Sequence, residues 1–131
     1  MMSEKTIHRQ VCDYLRYQWP KVIFSTDLSG AMRLTIGQAV ALKRLRSGRG
    51  FPDIAIYKRK NGYSGLFLEL KKEGTSLFKK RIVDSYGYPC WTSDHLKEQH
   101  EMMEALRGEG FKCEFAIGFD EAVKIINDYL K

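Results

Sequence analysis

Three charged residues stand in two neighbouring segments of this 131-residue chain that are otherwise apolar. Asp53 opens the first segment, and Glu69 and Lys71 are two positions apart in the second. Because side chains alternate between the faces of a strand, Glu69 and Lys71 share a face if this segment is a strand. Pairing of the two segments would place Asp53 beside them. Two carboxylates for a cation and an adjacent ammonium group suit metal-dependent cleavage of a phosphodiester bond.

Each of these residues also has an ordinary structural explanation. Asp53 follows Pro52 and could be a turn residue, while Glu69 and Lys71 could form an exposed ion pair on a strand. Taken separately, these explanations do not account for Glu69 and Lys71 on one face of an apolar strand, opposite Asp53 on the neighbouring strand. A common site accounts for all three residues.

Two further polar residues fall on the apolar faces of predicted helices, Glu4 in the first and Gln99 in a later one. A buried carboxylate is costly unless it is paired or bound to a metal, so both side chains are expected to point toward a polar site at the edge of the sheet. Alternatively, Glu4 complements the helix dipole in a first turn, and Gln99 reaches solvent from the rim. The apolar residues that define the two faces are Ile7, Val11, Leu15, Leu96, Met103 and Leu106.

The histidines are expected to lie outside the metal site. His8 follows Glu4 by one helical turn and is expected at the solvent edge, with a role as a base or as a nucleic-acid contact as the alternative. His95 and His100 flank Gln99 and are expected on the surface.

Local signals predict the elements that position these residues. Two strands are separated by Lys60-Asn61-Gly62, which is a hairpin signal. Strands are predicted over residues 22–24, 53–57, 63–71 and 111–118, and helices over residues 3–17, 36–45, 94–107 and from Asp120, as its cap, to about residue 130. Residues 28–33 are predicted as a loop around Gly30, and residues 74–91 as a long exposed excursion without regular structure.

This order of elements predicts an α/β fold in which helices flank a mixed sheet of about four strands. The hairpin would be antiparallel, and the later strand–helix–strand step a right-handed parallel crossover. With 131 residues, the chain is expected to form a single domain.

The composition is typical of a soluble globular protein, with 44% apolar and 29% charged residues. Apolar runs of only a few residues predict that no segment crosses a membrane, and the N-terminal residues lack the pattern of a signal peptide. Cys12, Cys90 and Cys113 show no zinc-binding spacing, and Cys12 and Cys113 are expected to be packing residues. A reducing cytoplasm is therefore the expected location.

Positive charge is concentrated in the first part of the chain. The formal net charge is +6, but residues 1–93 carry 17 basic and 7 acidic residues, whereas residues 94–131 carry 5 and 9. This asymmetry favours a polyanion such as nucleic acid as partner, with a solvated basic surface as the alternative. Nucleic acid is the preferred interpretation because the basic clusters flank the acidic residues and the lysine. The residues expected to contact it are Arg33, Lys43, Arg44, Arg46, Arg49, Lys72, Lys79, Lys80 and Arg81.

These residues together resemble the pattern of the PD-(D/E)xK nuclease superfamily. The pattern consists of Pro52-Asp53, then Glu69-Leu70-Lys71, then Gln99 in the next helix, with an acid in the first helix. More narrowly, residues 48–53, 66–71 and 95–99 are similar to the VRR-NUC branch, especially its small stand-alone members in phages and bacteria. The similarity extends from Glu4 to residues 118–122 and implies a restriction-endonuclease-like core.

The resemblance implies that Asp53 and Glu69 hold Mg²⁺ or Mn²⁺, with the backbone carbonyl of Leu70 as a third ligand. Ligation by oxygen atoms alone agrees with such a cation and argues against zinc. Mechanisms with one metal ion and with two are both compatible with this set.

The other three residues have implied roles around the cation. Lys71 would position or deprotonate the attacking water and offset negative charge in the transition state, although an unperturbed lysine is protonated at neutral pH. Glu4 would bind the cation through water or bind a second cation. Gln99 would orient Lys71 or the attacking water.

The resemblance further implies a structure-selective DNA endonuclease of the Holliday-junction resolvase type, acting on branched DNA in a bacterial or phage-infected cell. A homodimer is expected because its two-fold symmetry matches the two cut sites of a four-way junction. The alternatives are a flap or nicking nuclease, a restriction-type enzyme, and a non-catalytic nucleic-acid-binding module with the same fold.

Overall fold

The computed structural model describes residues 2–131. Its elements in chain order are α1 (Glu4–Gln18), β1 (Phe24–Thr26), α2 (Leu28–Ala31), α3 (Ile36–Arg44), β2 (Ile54–Ile56), β3 (Leu66–Lys71), β4 (Phe78–Val83), β5 (Pro89–Trp91), α4 (Asp94–Gly108), β6 (Lys112–Ile117) and α5 (Phe119–Leu130). No helix among these residues is long and apolar enough to cross a membrane.

Four strands form the central sheet in the order β1-β2-β3-β6. β2 is antiparallel to both β1 and β3, and β6 runs parallel to β3. Asn61 and Gly62, in the turn between β2 and β3, have φ angles of 54° and 83°. Positive φ at both central residues is typical of a tight hairpin turn, for which Asn-Gly is the preferred sequence. The predicted α/β class and mixed sheet are confirmed.

The apolar core lies on one face of the sheet, where α1 and α5 pack. Alternation along β3 directs Leu66, Leu68 and Leu70 into this core, and all three are buried. Cys113 is buried and Cys12 packs against the core, as expected for small packing residues. Helix α4 packs on β6, and its residue Gln99 contacts the face of β3 opposite the core. The sheet therefore holds a site between two helical layers.

Side-chain caps fix where the site-bearing helices begin. Ser3 caps α1 by accepting a hydrogen bond from the Thr6 amide at 3.2 Å. Ser93 does the same for α4 with the Leu96 amide, also at 3.2 Å. These starts lie within one residue of the predicted ones, because Ser is a preferred residue at the start of a helix.

Three predictions about the bounds or type of individual elements are wrong. The first strand begins at Phe24, because pairing with β2 rather than local propensity decides its extent. Residues 28–31 form the helix α2, because the Asp27 carboxylate caps it by accepting from the Ser29 amide at 3.3 Å. Gly118 occupies the cap position of α5, and Asp120 lies in its first turn.

The excursion predicted without regular structure is also different. Residues 78–91 form an exposed two-stranded arm made of β4 and β5, separate from the central sheet. The ladder pairs Phe78 with Trp91 and Val83 with Pro89, so β4 contains more residues than β5 between these pairs. Such a bulge interrupts the alternation by which a strand is recognised.

Candidate active site

The register of β2 and β3 brings the two acids of the site together. Ile54 pairs with Leu68, and continuing that register by one residue places Asp53 opposite Glu69. The Leu70 amide donates a hydrogen bond to Asp53 Oδ2 at 2.8 Å. The bond lies just before the first residue of β2, where the backbone of this segment no longer pairs with β3. The Asp53 carboxylate there accepts the hydrogen bond that a backbone carbonyl would accept in a longer strand.

The five side chains predicted for the site line one cavity of about 360 Å³. Asp53, Glu69 and Lys71 come from the strand ends, Glu4 from the start of α1, and Gln99 from α4. Glu69 and Lys71 are only 3% and 6% exposed, Gln99 is also buried, and Glu4 is exposed at the rim. The two helices thus contribute from opposite faces of the sheet.

Gln99 contacts Glu69 directly. Its Nε2 donates to Glu69 Oε1 at 2.9 Å and lies 3.1 Å from His95 Nε2. Its Oε1 is buried without a hydrogen-bond partner among residues 2–131. The predicted partner of Gln99 was Lys71 or a water molecule; the amide nitrogen is instead engaged by Glu69, and the carbonyl oxygen is the atom left for such a role.

Burial and the neighbouring acid make negative charge on Glu69 costly. Burial is the main cause that raises the pKa of Glu69 to about 11, the hydrogen bond and charge of Asp53 add to it, and the charge of Lys71 opposes it. The pair therefore needs either a proton or a cation between its oxygen atoms.

The donors at this point fit a hard divalent cation. The Gly118 amide donates to the Lys71 carbonyl, which directs that carbonyl toward β6. Backbone groups of successive residues in a strand point to opposite sides, so the carbonyl of Leu70 points away from β6. The Leu70 amide points to the same side and donates to Asp53. Among residues 2–131 no group of three or more His, Cys, Asp or Glu side chains could hold a metal. Two carboxylates, a carbonyl and water suit Mg²⁺ or Mn²⁺, because Mg²⁺ usually retains several waters.

His8 belongs to the surroundings of the site, and its predicted place at the solvent edge is wrong. The ring is buried, and its Nε2 is hydrogen-bonded to Thr26 Oγ1. The Thr26 hydroxyl also donates to the Asp53 carbonyl at 3.0 Å, which links His8 to the backbone of Asp53. Burial lowers the pKa of His8, against the opposing charge of Asp53. A sequence signal exists, since His8 lies on the same stripe as Val11 and Leu15.

Two glycines permit close packing near the site, one against Asp53 and one against α4. A Cβ at Gly30 would lie 2.0 Å from Asp53 Oδ1. A Cβ at Gly50, where φ is +79°, would lie 2.9 Å from the Glu98 carbonyl of α4. Gly50 therefore lets the segment before β2 approach the backbone of α4. Sequence reasoning missed both roles, because each depends on a tertiary neighbour.

Of the predicted nucleic-acid contacts, Arg46 lines the cavity. It is ion-paired with Asp27 and donates to Ser29 Oγ at 3.2 Å, which fixes it to the wall formed by α2. Lys5, which was not predicted, lines the cavity as well. The others are exposed outside the cavity lining: Arg33, Lys43, Arg44, Arg49, Lys72, Lys79, Lys80 and Arg81.

A solved structure, that of a VRR_NUC domain protein, is similar to this chain with a TM-score of 0.69. The match covers 99% of this chain and 89% of that one, at 22% sequence identity. No protein-family model matches the sequence, and no curated protein matches it. The structural match shows a VRR-NUC, restriction-endonuclease-like fold and confirms the resemblance at the level of fold.

A methyl group at Gly30 should displace the Asp53 carboxylate. Gly30→Ala is expected to weaken Mn²⁺ binding by roughly tenfold or more, as expected when the support of a metal ligand is disturbed. Isothermal titration calorimetry of the metal-free protein with Mn²⁺ measures the change.

The matched control is Gly37→Ala in α3, where a Cβ would meet no atom within 4 Å. This variant should bind Mn²⁺ like the parent and be more stable by about 0.5–1 kcal/mol, because Ala favours helix over Gly. Equal Mn²⁺ affinity of Gly30→Ala and the parent protein would contradict the assignment of Asp53 as a ligand.

Proposed function

We propose that this chain, which has the fold of a VRR_NUC domain protein, is a nuclease that hydrolyses phosphodiester bonds of DNA with the help of Mg²⁺ or Mn²⁺. The observation that carries the proposal is the pairing of Asp53 with buried Glu69 beside buried Lys71 at one cavity. An acid pair of this kind has no evident use in packing, because burial and mutual repulsion both destabilise it. A divalent cation would remove both costs.

Asp53, Glu69 and the Leu70 carbonyl would hold the cation, and Glu4 could reach it through water from the rim. When bound, the cation supplies Lewis-acid polarisation of a phosphoryl oxygen. Gln99 holds the Glu69 carboxylate in place through its amide nitrogen. Its unpartnered Oε1 can accept a hydrogen bond from the attacking water or from the Lys71 ammonium.

Lys71 is the cationic group of the proposed mechanism. It shares a face of β3 with Glu69 and lines the same cavity. As an ammonium group it stabilises the negative charge that develops on the phosphate, and in a site removed from water this interaction is stronger than in solution. As a neutral amine it could take the proton of the attacking water.

DNA is the proposed substrate because of the basic residues outside the cavity. They are exposed on several elements, including the last turn of α3 and strand β4. Such residues bind the phosphate backbone without reading sequence, which suits selection of DNA by shape. We propose four-way or otherwise branched DNA as the preferred form. A cytoplasmic site of action accords with the free thiols of Cys12, Cys90 and Cys113.

A homodimer is the proposed assembly, and helix α3 supports it. This helix has nine residues and buries none of them. Ile36, its first residue, and Val40, one turn later on the same face, are 86% and 56% exposed. Isolated helices of this length are unstable in water, so a partner that covers the apolar residues would stabilise α3. A second copy of the chain would do so and would place two sites on one junction.

Cleavage of labelled four-way junction, flap and linear duplex substrates tests the activity. The parent protein should cut in Mg²⁺ or Mn²⁺ and stop cutting in EDTA. Asp53→Asn, Glu69→Gln and Lys71→Met should each lower the single-turnover rate by roughly 100-fold or more, because each removes a ligand or a positioned charge.

Lys21→Met is the control, because it removes the same charge at an exposed position outside the cavity lining. It should cut at the parental rate. Symmetric paired cuts at the branch indicate a resolvase, single cuts a flap or nicking enzyme, and discrete cuts in linear duplex a restriction-type enzyme. Absence of metal-dependent cleavage of all three substrates would leave only a binding module and would refute the proposal.

Charges on the exposed face of α3 should separate the dimer. Ile36→Glu with Val40→Glu is expected to yield a monomer in sedimentation velocity, since burying two carboxylates at an interface is costly. A glutamate at position 36, the first helical residue, suits the helix dipole, so the helix itself should persist. Ile23→Glu, at an exposed position outside α3, should leave the dimer intact. A monomeric parent protein at micromolar concentration would refute this assembly.

A further inference from the structure

The exposed arm formed by residues 78–91 is connected at both ends to the candidate active site. Its first strand begins seven residues after Lys71, and only two residues separate its second strand from α4, which carries Gln99. At the base of the arm, the ring of Trp91 lies 4.7 Å from that of His100 and 5.8 Å from that of Phe115. The base is thus packed against α4 and β6, and the rest of the arm projects from there.

The first strand of the arm presents three consecutive cations. Between the pairs Phe78–Trp91 and Val83–Pro89, β4 advances five residues while β5 advances two. The extra residues of this bulge include Lys79, Lys80 and Arg81, all exposed. Arg81 has a φ of 57°, a conformation that is uncommon for a residue with a long side chain. Strained backbone of this kind is concentrated at functional positions.

The tip of the arm is a preformed turn that displays two tyrosines. The Asp84 carboxylate accepts hydrogen bonds from the Tyr86 amide at 2.8 Å and from the Tyr88 amide at 3.0 Å. Gly87, with φ of +84°, completes the reversal and donates to the Asp84 carbonyl at 3.1 Å. Tyr86 and Tyr88 are 84% and 68% exposed. These hydrogen bonds define the turn that presents the two aromatic rings to solvent.

We infer that this arm binds unpaired or unstacked bases of nucleic acid, with Tyr86 and Tyr88 stacking on base faces and the cations of the bulge on the adjacent phosphates. The inference rests on the proposed function and specifies its substrate class: DNA with exposed bases, as at a branch point, flap or bulge. Aromatic rings beside a positively charged track are the combination by which proteins bind single-stranded segments. In continuous duplex the base faces are covered by their neighbours, so these rings have nothing to stack on.

A second copy of the chain fits the arm less well. If the arms of two copies packed together, Lys79, Lys80 and Arg81 of one arm would face the same three cations of the other. The only acidic residue of the arm is Asp84. Like charges placed together in a contact disfavour it. A polyanion with exposed aromatic bases complements both the charge and the rings.

The test compares binding of two DNA duplexes, one fully paired and one with a bulge of three unpaired nucleotides that includes 2-aminopurine. Fluorescence anisotropy is measured in EDTA, so that binding is independent of metal and cleavage. Tyr86→Ala with Tyr88→Ala should weaken binding of the bulged duplex by roughly tenfold or more, as expected from lost base stacking, and change binding of the paired duplex by less than about twofold.

Two matched variants complete the design. Tyr86→Phe with Tyr88→Phe keeps the rings and should retain parental affinity and the parental change in 2-aminopurine fluorescence. Tyr17→Ala removes a tyrosine of similar exposure at the end of α1 and should change neither. Near-ultraviolet and far-ultraviolet circular dichroism verify that each variant is folded.

An equal loss of affinity for both duplexes, no loss for either, or a change in oligomeric state in the Ala variant would each overturn the inference. Because no step requires catalysis, failure of the proposed nuclease activity is separable. A protein that binds bulged DNA through these tyrosines but cuts no substrate would retain this inference and refute the nuclease, whereas a nuclease unaffected by the tyrosines would do the opposite.

Discussion

The contact between the carboxyl groups of Asp53 and Glu69 is the constraint on which the site depends. Burial and the adjacent acid raise the pKa of Glu69 to about 11, so two negative charges are not stable there unaided. The fold nevertheless holds the pair together through the strand register, the Leu70 amide, the amide of Gln99 and the space left at Gly30. A cation between the two carboxylates, as proposed, would offset their repulsion.

The position of the pair within the sheet explains how the fold does this. β2 begins at Ile54, which pairs with Leu68, whereas the antiparallel β3 continues beyond Leu68 to Lys71. The last residues of β3 therefore have no β2 backbone beside them, and Leu70 directs its amide and carbonyl to the site. On the opposite face, the buried leucines of β3 anchor the strand against α1 and α5. The candidate site and the core thus use alternate residues of one strand, so neither can shift without the other.

The positions of the site residues can be predicted from sequence wherever the strand or helix that carries them shows a regular pattern of apolar residues. Alternation along a strand identified Glu69 opposite Asp53, and helical periodicity identified Gln99. The same periodicity places His8 on the apolar face of α1, but the prediction for His8 was the solvent edge. Its burial depends on the hydrogen bond to Thr26, a contact between distant segments that local sequence does not contain. Gly30 matters only because Asp53 is packed against it. The arm was missed because extra residues in β4 break the strand pattern. Contacts between distant segments are what local patterns do not contain.

Anomalous scattering from crystals grown with Mn²⁺ tests most directly whether the acid pair holds a cation. The predicted result is an anomalous peak within coordination distance of carboxylate oxygens of both Asp53 and Glu69 and of the Leu70 carbonyl oxygen, which disappears in Asp53→Asn crystals. A protein that shows no peak there at saturating Mn²⁺, with both carboxyl groups well ordered, would contradict the assignment and with it the proposed metal-dependent hydrolysis.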